Sequence, residues 1–188
     1  TLYGAKVYIA SRSHNNVDVT NLSCVKSYLK DIVDEHGDID YVINTSGVLI
    51  KKPLDKLTME EVSLLVNVNY LGVVNVAIAA KDTLARKNGM LLNFASSSYT
   101  RGRAFYALYS SAKAAVVNLT QALSEEWIQE SVRVNCINPE RTATPMRKSN
   151  FGLEPIDTLL TPRDVASKSL AVLAMQSTGV VIDIKKDG

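Results

Sequence analysis

The sequence predicts an α/β protein in which helices cover both faces of a parallel sheet. Short apolar segments rich in β-branched residues alternate with longer segments of helical period, which is typical of such sheets. No internal repeat, low-complexity tract or interdomain linker interrupts this alternation. At 188 residues the chain has the length of one domain and can bury a substantial core. We therefore expect residues 1–188 to form a single domain.

The alternation assigns six strands and four helices. The strands are predicted at residues 6–10, 16–19, 41–44, 90–94, 132–137 and 180–184. The helices are predicted at residues 22–35, 59–87, 106–130 and 162–175. Residues 151–160 contain Gly152 and Pro155 and break this rhythm, so we predict a loop over the functional site there, a candidate for a mobile lid.

Boundary signals support two of these helices. Thr58 followed by Glu61 is the pattern of a capping box, in which each side chain accepts a hydrogen bond from the other residue's backbone. Thr161 is expected to cap the last helix, because Pro162 after it suits the first helical turn.

Composition narrows the function classes. With 46% apolar residues and a formal charge of +2, the chain calls for neither a nucleic-acid nor a membrane partner, and its longest unbroken apolar runs are shorter than a bilayer span. Cys24 and Cys136 lie far apart without metal-ligand spacing, and His14 and His36 are too few for a site. We expect no metal, a reducing compartment and a cytoplasmic location.

Tyr109 and Lys113 form the most informative pair in the chain. At a spacing of i, i+4 on a predicted helix the two side chains are neighbours. A cation about 4 Å from a phenolate contributes roughly 4 kcal/mol at an effective dielectric near 20. Because one pKa unit corresponds to about 1.4 kcal/mol, we expect Lys113 to lower the pKa of Tyr109 towards neutrality. The pair therefore predicts a proton donor for a carbonyl group.

Further motifs surround this pair in a fixed order. They are Gly4-Ala5-Lys6-Val7-Tyr8-Ile9-Ala10-Ser11-Arg12, Asp18-Val19-Thr20, Asn44-Thr45-Ser46-Gly47, Asn69-Tyr70-Leu71-Gly72, Asn93-Phe94-Ala95-Ser96-Ser97 and Asn135-Cys136-Ile137-Asn138-Pro139. In this order and spacing the chain resembles the short-chain dehydrogenase/reductase family. The resemblance implies a Rossmann-type doubly wound parallel sheet and a nicotinamide-dependent oxidoreductase.

The resemblance also implies a catalytic tetrad of Ser96, Tyr109, Lys113 and Asn69. In it Tyr109 protonates the developing alkoxide, Lys113 lowers the pKa of the phenol and binds the nicotinamide ribose, and Ser96, or else Ser97, holds the carbonyl oxygen. Asn69 supports the water through which Tyr109 is reprotonated. Two plainer interpretations stay open, because an Asn in an apolar helix commonly bonds the backbone at a kink and Ser96 could simply end its strand.

The cofactor expected from the resemblance is NADP(H). NAD-specific relatives carry an acidic residue after the second strand, whereas this chain has Ser11, Arg12 and Ser13 there, suited to a 2′-phosphate. Alternatively, Arg12 is a solvated surface residue. Asp18 matches the residue that contacts adenine in the family.

Other positions match the family's cofactor site. Asn44, which also suits a strand-end Asx cap, stands with Ser46 and Gly47 in the turn after the third predicted strand. The remaining expected cofactor residues are Tyr109, Lys113, Pro139, Thr142 and Thr144, the two threonines lying in the segment that positions the nicotinamide carboxamide.

The opening of a dinucleotide-binding fold is missing from this sequence. Such folds begin with a strand and a glycine-rich turn that binds the pyrophosphate, and no Gly-x-x-x-Gly-x-Gly or Gly-x-Gly-x-x-Gly occurs here. Residues 1–4 instead resemble the end of a first helix. The first strand belongs between the strands at 6–10 and 41–44, so we expect a preceding segment, omitted here or part of a longer polypeptide. The connection between Arg12 and Asn16 is also too short for the helix that usually follows the second strand.

Three arginines distinguish the predicted substrate pocket. Arg101, Arg103 and Arg141 follow strands at the edge of the sheet where open α/β proteins bind ligands. Arginine binds phosphate oxygens bidentately, so we assign all three to the phosphate of a sugar phosphate. Alternatively, Arg101 or Arg103 pairs with Glu140 or faces a neighbouring subunit. The basic residues at 147 and 148 are expected to be solvated.

The segments 96–103 and 138–146 narrow the resemblance. They are similar to the reductase half of bacterial bifunctional enzymes that make CDP-ribitol for capsule or wall polymers, in which a cytidylyltransferase precedes a reductase. This implies NADPH-dependent reduction of ribulose 5-phosphate to ribitol 5-phosphate, and a homodimer or homotetramer. Two alternatives stay open: reduction of another anionic carbonyl substrate, and an inactive domain that stabilises or dimerises a fused cytidylyltransferase.

Overall fold

A computed structural model of the chain describes residues 4–186. In this range the sheet consists of β1 (Tyr41–Asn44), β2 (Met90–Phe94), β3 (Arg133–Pro139) and β4 (Val181–Ile184). The strands lie in the order β1, β2, β3, β4, and each pairs with its neighbour in parallel. Parallel neighbours require crossover connections, which helices supply here. The predicted α/β fold with a parallel sheet is thereby confirmed.

Within residues 4–186, α-helices occupy seven segments. They are α1 (Arg12–Asn15), α2 (Leu22–His36), α3 (Met59–Val66), α4 (Gly72–Lys87), α5 (Ala107–Glu126), α6 (Pro145–Phe151) and α7 (Pro162–Leu173). A π-helical segment, Asn67–Leu71, joins α3 to α4, so the predicted helix at 59–87 is continuous. A 3₁₀ turn, Ile128–Glu130, continues α5 towards the predicted end at 130.

The core lies on both faces of the sheet, as alternation along β3 shows. Val134 packs on one face in a cluster with residues of α2 and α4, such as Val76 and Leu84. Ile137 points to the opposite face, where Val165 and Val172 of α7 cover it. Each fully buried side chain of this size contributes about 1.5 to 3 kcal/mol. Burial on both faces explains why the central strands β2 and β3 are rich in apolar residues.

Helix boundaries follow the sequence signals. Thr58 and Glu61 exchange backbone-to-side-chain hydrogen bonds of 2.9 and 3.2 Å at the start of α3, so the capping box is confirmed. Thr161 caps α7 with Pro162 in the first turn, also as predicted. Asn88, in a left-handed conformation with φ of 49°, ends α4.

The helix spanning residues 59–87 is long and apolar enough to cross a membrane by length and composition alone. It packs in the fold as a core helix, since Val73, Ala80 and Leu84 are buried against the sheet and α2. Length and composition therefore do not by themselves mark this helix as a membrane span, because a helix buried in a protein core has the same features.

Two predicted strands are wrong. Residues 6–10 and 16–19 are not strands, and Val7 and Ile9 are 67% and 59% exposed. No strand in the described range pairs with residues 6–10, and the carbonyl oxygen of Ile9 accepts hydrogen bonds from the side chains of Asn15 and Tyr28 instead. A strand is stable only when a neighbour completes its ladder, which an apolar pattern alone cannot supply.

The beginning of the chain bears on two further predictions. The expected helix end at residues 1–4 lies, except for Gly4, outside the described residues. The connection after residue 10 contains the single turn α1, which Ser11 caps by accepting a hydrogen bond from the backbone N–H of His14. The connection is therefore short, as expected, but it is not free of helix.

The segment before the predicted loop is helical, which the sequence prediction missed. Thr144 caps α6 by accepting a hydrogen bond of 3.1 Å from the N–H of Arg147, and Pro145 occupies its first turn. Beyond α6 the chain is irregular apart from a 3₁₀ turn, Ile156–Thr158, and a bridge between Thr142 and Leu160. The predicted loop therefore begins after Phe151.

Candidate active site

A cleft of about 400 Å³ opens at the carboxyl ends of β2 and β3. In a parallel sheet these ends meet at one edge, where backbone polar groups and loop side chains face a ligand. Eight predicted site residues line this site cleft, namely Ser96, Ser97, Arg103, Tyr109, Pro139, Arg141, Thr142 and Thr144. The structure thus brings together a predicted proton donor, a hydroxyl and two cations.

Tyr109 projects from the first turn of α5 into the site cleft. Burial of the phenol raises its pKa, while the Ser96 hydroxyl and the charge of Arg147 act in the opposite direction. The prediction that Lys113 lowers this pKa is therefore not supported by the structure. The phenol retains its proton at neutral pH and can donate it to an oxygen that becomes basic in the cleft.

Lys113 lies one turn further along α5 and is only 3% exposed. Its ammonium donates hydrogen bonds to the carbonyl oxygens of Phe94 and Ser46, at 2.8 and 3.4 Å, and lies 5.8 Å from the centre of the Tyr109 ring. Desolvation lowers the pKa of Lys113 to about 8. Lys113 thus joins the carboxyl end of β2 to the turn after β1.

Ser96 follows β2 directly and caps a 3₁₀ turn, Ser97–Tyr99. Its oxygen accepts hydrogen bonds from the backbone N–H and the hydroxyl of Ser98, at 3.3 and 3.2 Å. Because both bonds use the Ser96 oxygen as acceptor, its own O–H remains available as a donor towards Tyr109 and the cleft.

Asn69 is fully buried in the π-helical segment. Its amide donates to the carbonyl oxygens of Val48 and Leu65, at 2.9 and 2.8 Å, and its Oδ1 accepts from the N–H of Val48 at 3.1 Å. These bonds agree with the plainer interpretation of an Asn that satisfies backbone groups at a helix irregularity. Asn69 does not line the site cleft, so its role in reprotonating Tyr109 remains a prediction.

The turn after β1 packs against the buried side chains of Asn69 and Lys113. Asn44 accepts hydrogen bonds from both the N–H and the hydroxyl of Ser46, at 3.2 and 2.6 Å, so the Asx cap is confirmed. A Cβ on Gly47 would lie 3.2 Å from Asn69 Oδ1 and 3.4 Å from Lys113 Nζ. The buried Nδ2 of Asn44 has no hydrogen-bond partner in the described part of the protein.

These features fit a polar group of a dinucleotide. A buried amide donor without a partner and an adjacent glycine let a ligand approach the backbone closely. Asn44, Ser46, Gly47 and Lys113 would hold such a cofactor at the turn after β1.

The remaining cofactor candidates lie in the connection around α1, outside the residues that line the site cleft. Ser11 caps α1, while Arg12 and Ser13 are exposed. Asp18 accepts hydrogen bonds from the N–H and hydroxyl of Thr20, at 2.9 and 2.8 Å, and these bonds, more than the charge of Arg12, lower its pKa. An ionised Asp18 is thus fixed before α2.

Only two of the three predicted phosphate-binding arginines line the site cleft. Arg103 and Arg141 do so, whereas Arg101 is exposed and lies outside the described lining. The alternative, in which Arg101 or Arg103 pairs with Glu140, is not seen among the described residues. Glu140 Oε2 accepts a hydrogen bond from the N–H of Lys186. Arg141 instead lies 3.7 Å from Glu154.

Arg147 belongs to the site, contrary to the expectation that it is solvated. Its side chain is 20% exposed, lines the cleft and forms a bidentate pair with Glu154, with bonds of 2.6 and 2.9 Å. The guanidinium carbon lies 3.9 Å from the centre of the Phe151 ring. Sequence reasoning missed this cluster because it missed α6, on which Arg147 and Phe151 are i, i+4 neighbours.

The predicted nicotinamide segment is ordered by its own side chains. Thr142 donates a hydrogen bond of 2.9 Å to the carbonyl oxygen of Glu140, and Thr144 caps α6. Pro139 ends β3 at the base of the cleft. Within residues 4–186 no cluster of three or more His, Cys, Asp or Glu side chains could hold a metal ion. Cys24 and Cys136 are free thiols.

Comparison with known proteins identifies relatives of this arrangement. The family model for short chain dehydrogenases matches residues 9–153. The bifunctional ribulose 5-phosphate reductase/CDP-ribitol pyrophosphorylase Bcs1 of Haemophilus influenzae is 50% identical over 182 residues, which cover 97% of this chain. The chain spans 38% of the length of that relative.

Solved structures share the fold. The structure of ElxO with NADP bound has a TM-score of 0.80 and 25% identity over 91% of this chain and 75% of that one. A 3-ketoacyl-(acyl-carrier-protein) reductase from Brucella melitensis complexed with NADH has a TM-score of 0.84 and 24% identity, over 91% of this chain and 76% of that one. The latter likeness concerns the fold alone.

Proposed function

The chain belongs to the short-chain dehydrogenase family, and from this premise we propose that it reduces the C2 carbonyl of ribulose 5-phosphate to give ribitol 5-phosphate, with NADPH as the reductant. The observation that carries the proposal is the meeting of Ser96 and Tyr109 with Arg103 and Arg141 in one cleft. Carbonyl chemistry and anion recognition thus share one cavity. The likeness to a ribulose 5-phosphate reductase supports the choice of substrate.

NADPH, when bound, supplies a hydride to the carbonyl carbon. As negative charge develops on the carbonyl oxygen, the Ser96 hydroxyl donates a hydrogen bond and Tyr109 transfers its proton, so the product is the neutral alcohol. The raised pKa of Tyr109 keeps this proton in place until the oxygen becomes strongly basic. Lys113, bonded to the carbonyl oxygens of Ser46 and Phe94, would supply positive charge next to the turn after β1.

The substrate phosphate is assigned to the cationic side of the cleft. Arg103 is exposed at the rim and has no ion-pair partner among residues 4–186, so its guanidinium is free to bind phosphate oxygens. Arg141 is half exposed and only loosely paired. Arg101 is left out of this assignment because it lies away from the cleft lining.

The preference for NADPH over NADH rests on the segment Ser11-Arg12-Ser13. Arg12 is the first residue of α1 and is exposed, and it forms no salt bridge with a carboxylate of the described residues. A 2′-phosphate bound there would have a cation and two hydroxyls around it. Arg12 lies near enough to help lower the pKa of Asp18, but the Asp18 carboxylate is bonded to Thr20.

The wider setting is proposed from the family resemblance of the sequence, and the relative's name, which describes a bifunctional protein with a CDP-ribitol pyrophosphorylase, supports it in part. We extend to this chain a fused cytidylyltransferase partner, a role in CDP-ribitol and capsule biosynthesis and a cytoplasmic location. A homodimer or homotetramer is also expected, since Leu71 and Ile78 on the long helix are 45% and 49% exposed. Sedimentation of the full chain tests the assembly.

The decisive experiment measures NADPH oxidation by the full chain with ribulose 5-phosphate, xylulose 5-phosphate and a neutral ketose. Rapid turnover of ribulose 5-phosphate alone supports the proposal. Equal turnover of other anionic carbonyl compounds favours a reductase with a different substrate, and no turnover of any of them favours an inactive domain that serves a fused transferase.

A further inference from the structure

We infer that Arg147, together with Arg141, forms the subsite for the substrate phosphate, and that the Glu154 carboxylate fills this subsite until phosphate displaces it. The inference rests on the proposed reduction of a sugar phosphate. It adds a specificity residue, Arg147, that family resemblance does not assign, and gives Glu154 the role of an internal anion.

The contacts of Glu154 are those that a phosphate would make. Both carboxylate oxygens bond to the Arg147 guanidinium, and Oε1 also lies 3.7 Å from Arg141 Nη1. This fork geometry is the one in which arginine binds phosphate oxygens. The two guanidinium groups both line the site cleft, and both approach the same carboxylate.

The Arg147 guanidinium is held in place by more than Glu154. It stacks on the Phe151 ring, and its backbone N–H is fixed by the Thr144 cap of α6. Its side chain is only 20% exposed, so its bonds to an anion are partly shielded from water. The cationic half of the subsite therefore persists when the carboxylate leaves.

Glu154 lies in a part of the chain that is able to move. Gly152 ends α6 with φ of 77°, and regular structure resumes only in the 3₁₀ turn Ile156–Thr158. The neighbouring Leu153 is 86% exposed, so no packed side chain anchors this segment next to Glu154. Displacing the carboxylate requires movement of a short irregular segment rather than of the core.

Charge balance favours the exchange. The cations facing this position are Arg141, Arg147 and Lys51, and Arg103 lies at the same cleft, whereas Glu154 and Glu140 are the carboxylates in their surroundings. A phosphate monoester carries about −1.5 to −2 charges at neutral pH, more than the single charge of a carboxylate. It therefore compensates the cations better than Glu154 does.

The subsite also lies within reach of the chemistry. The charge of Arg147 acts on the Tyr109 phenol, and both side chains line the same cavity. A ligand whose phosphate sits on Arg147 can thus present a carbonyl group to Tyr109. A neutral ketose would have to leave Glu154 in place and would gain nothing from this cluster.

Isothermal titration with inorganic phosphate tests the subsite without any turnover. The Arg147→Gln variant should bind phosphate about 10- to 100-fold more weakly, because it loses charge-assisted bonds. Glu154→Gln should bind it at least about threefold more tightly, because the competing charge is gone. Arg163→Gln, the same change at an exposed residue outside the cleft lining, should bind like wild type.

Three outcomes would overturn the inference. The first is an unchanged phosphate affinity in Arg147→Gln. The second is a weakened affinity in both Glu154→Gln and Glu154→Ala, which would make Glu154 a positioning residue for Arg147. The third is a loss of phosphate binding in Arg12→Ala alone. Kinetics separate this inference from the proposed function. If the titrations behave as expected but ribulose 5-phosphate is not reduced, the anion subsite stands and the proposed substrate is wrong.

Discussion

The buried ammonium of Lys113 should make the stability of the protein depend on pH in a defined direction. In the unfolded chain this group has its ordinary pKa of 10.5, whereas desolvation lowers it to about 8 in the fold. Between these values the unfolded state binds more protons, so the free energy of unfolding rises with pH. Below about pH 8 both states are protonated, and the full cost of burying the charge is present.

The magnitude follows from the two pKa values. At about 1.4 kcal/mol per unit, the full cost is roughly 3 kcal/mol, and about 2.5 kcal/mol of it is relieved between pH 7 and pH 10. Cys136 acts in the opposite direction, because burial raises its pKa from 9.0 to about 11. The contribution of Lys113 is therefore isolated only as a difference between wild type and Lys113→Met, in which the other titrating groups cancel apart from the mutual charge effect of Lys113 and Cys136.

Urea unfolding measures this difference. Trp127 is the single tryptophan and is buried in the main core cluster, so its fluorescence reports loss of the core. The free energy of unfolding of wild type, relative to Lys113→Met, should increase by about 2.5 kcal/mol from pH 7 to pH 10. The exposed Lys168→Met variant should show no such trend. A constant difference, or one that decreases with pH, would refute a desolvated ammonium at this position.

Three further substitutions test the site. Tyr109→Phe should lower the rate of NADPH oxidation about 100- to 10,000-fold by removing the proton donor, and Tyr106→Phe, in the same cleft, serves as the matched control. Arg12→Ala should reduce kcat/KM with NADPH at least about tenfold and leave kcat/KM with NADH unchanged. An equal loss with both cofactors would argue against a contact between Arg12 and the 2′-phosphate. Gly47→Ala should lower the free energy of unfolding, measured with urea, by about 1 to 3 kcal/mol, because the added Cβ would lie 3.2 Å from the hydrogen-bonded Oδ1 of Asn69. A variant as stable as wild type would contradict this close packing.

Local signals predicted the elements whose stability is decided locally or by simple burial. The strands at 41–44 and 90–94 have the predicted bounds. The second is an apolar run buried on both faces of the sheet, and the first is a short β-branched run, although Tyr41 and Ile43 are exposed. The capping box at Thr58 likewise depends on residues three apart. The strands predicted at 6–10 and 16–19 failed because a strand also needs a neighbour, and pairing is not encoded in the segment itself.

The helix α6 was predictable and was missed. Thr144 followed by Pro145 repeats the signal that was used at Thr161, and it would have placed Arg147 and Phe151 on one helix face. The partner of Arg147 was not predictable in the same way. Glu154 follows a helix end and a glycine, and only the path of the chain brings it back to Arg147.

By itself, the sequence determined the kind of fold, the order of its elements and the residues that could carry carbonyl chemistry, since period, caps and motif spacing are local properties. Only the tertiary structure decided the electrostatics of those residues. Burial raises the pKa of Tyr109 and lowers that of Lys113, whereas the spacing along the helix had predicted that Lys113 lowers the pKa of Tyr109. Desolvation depends on every element packed around a group, and so it is a property of the assembled fold.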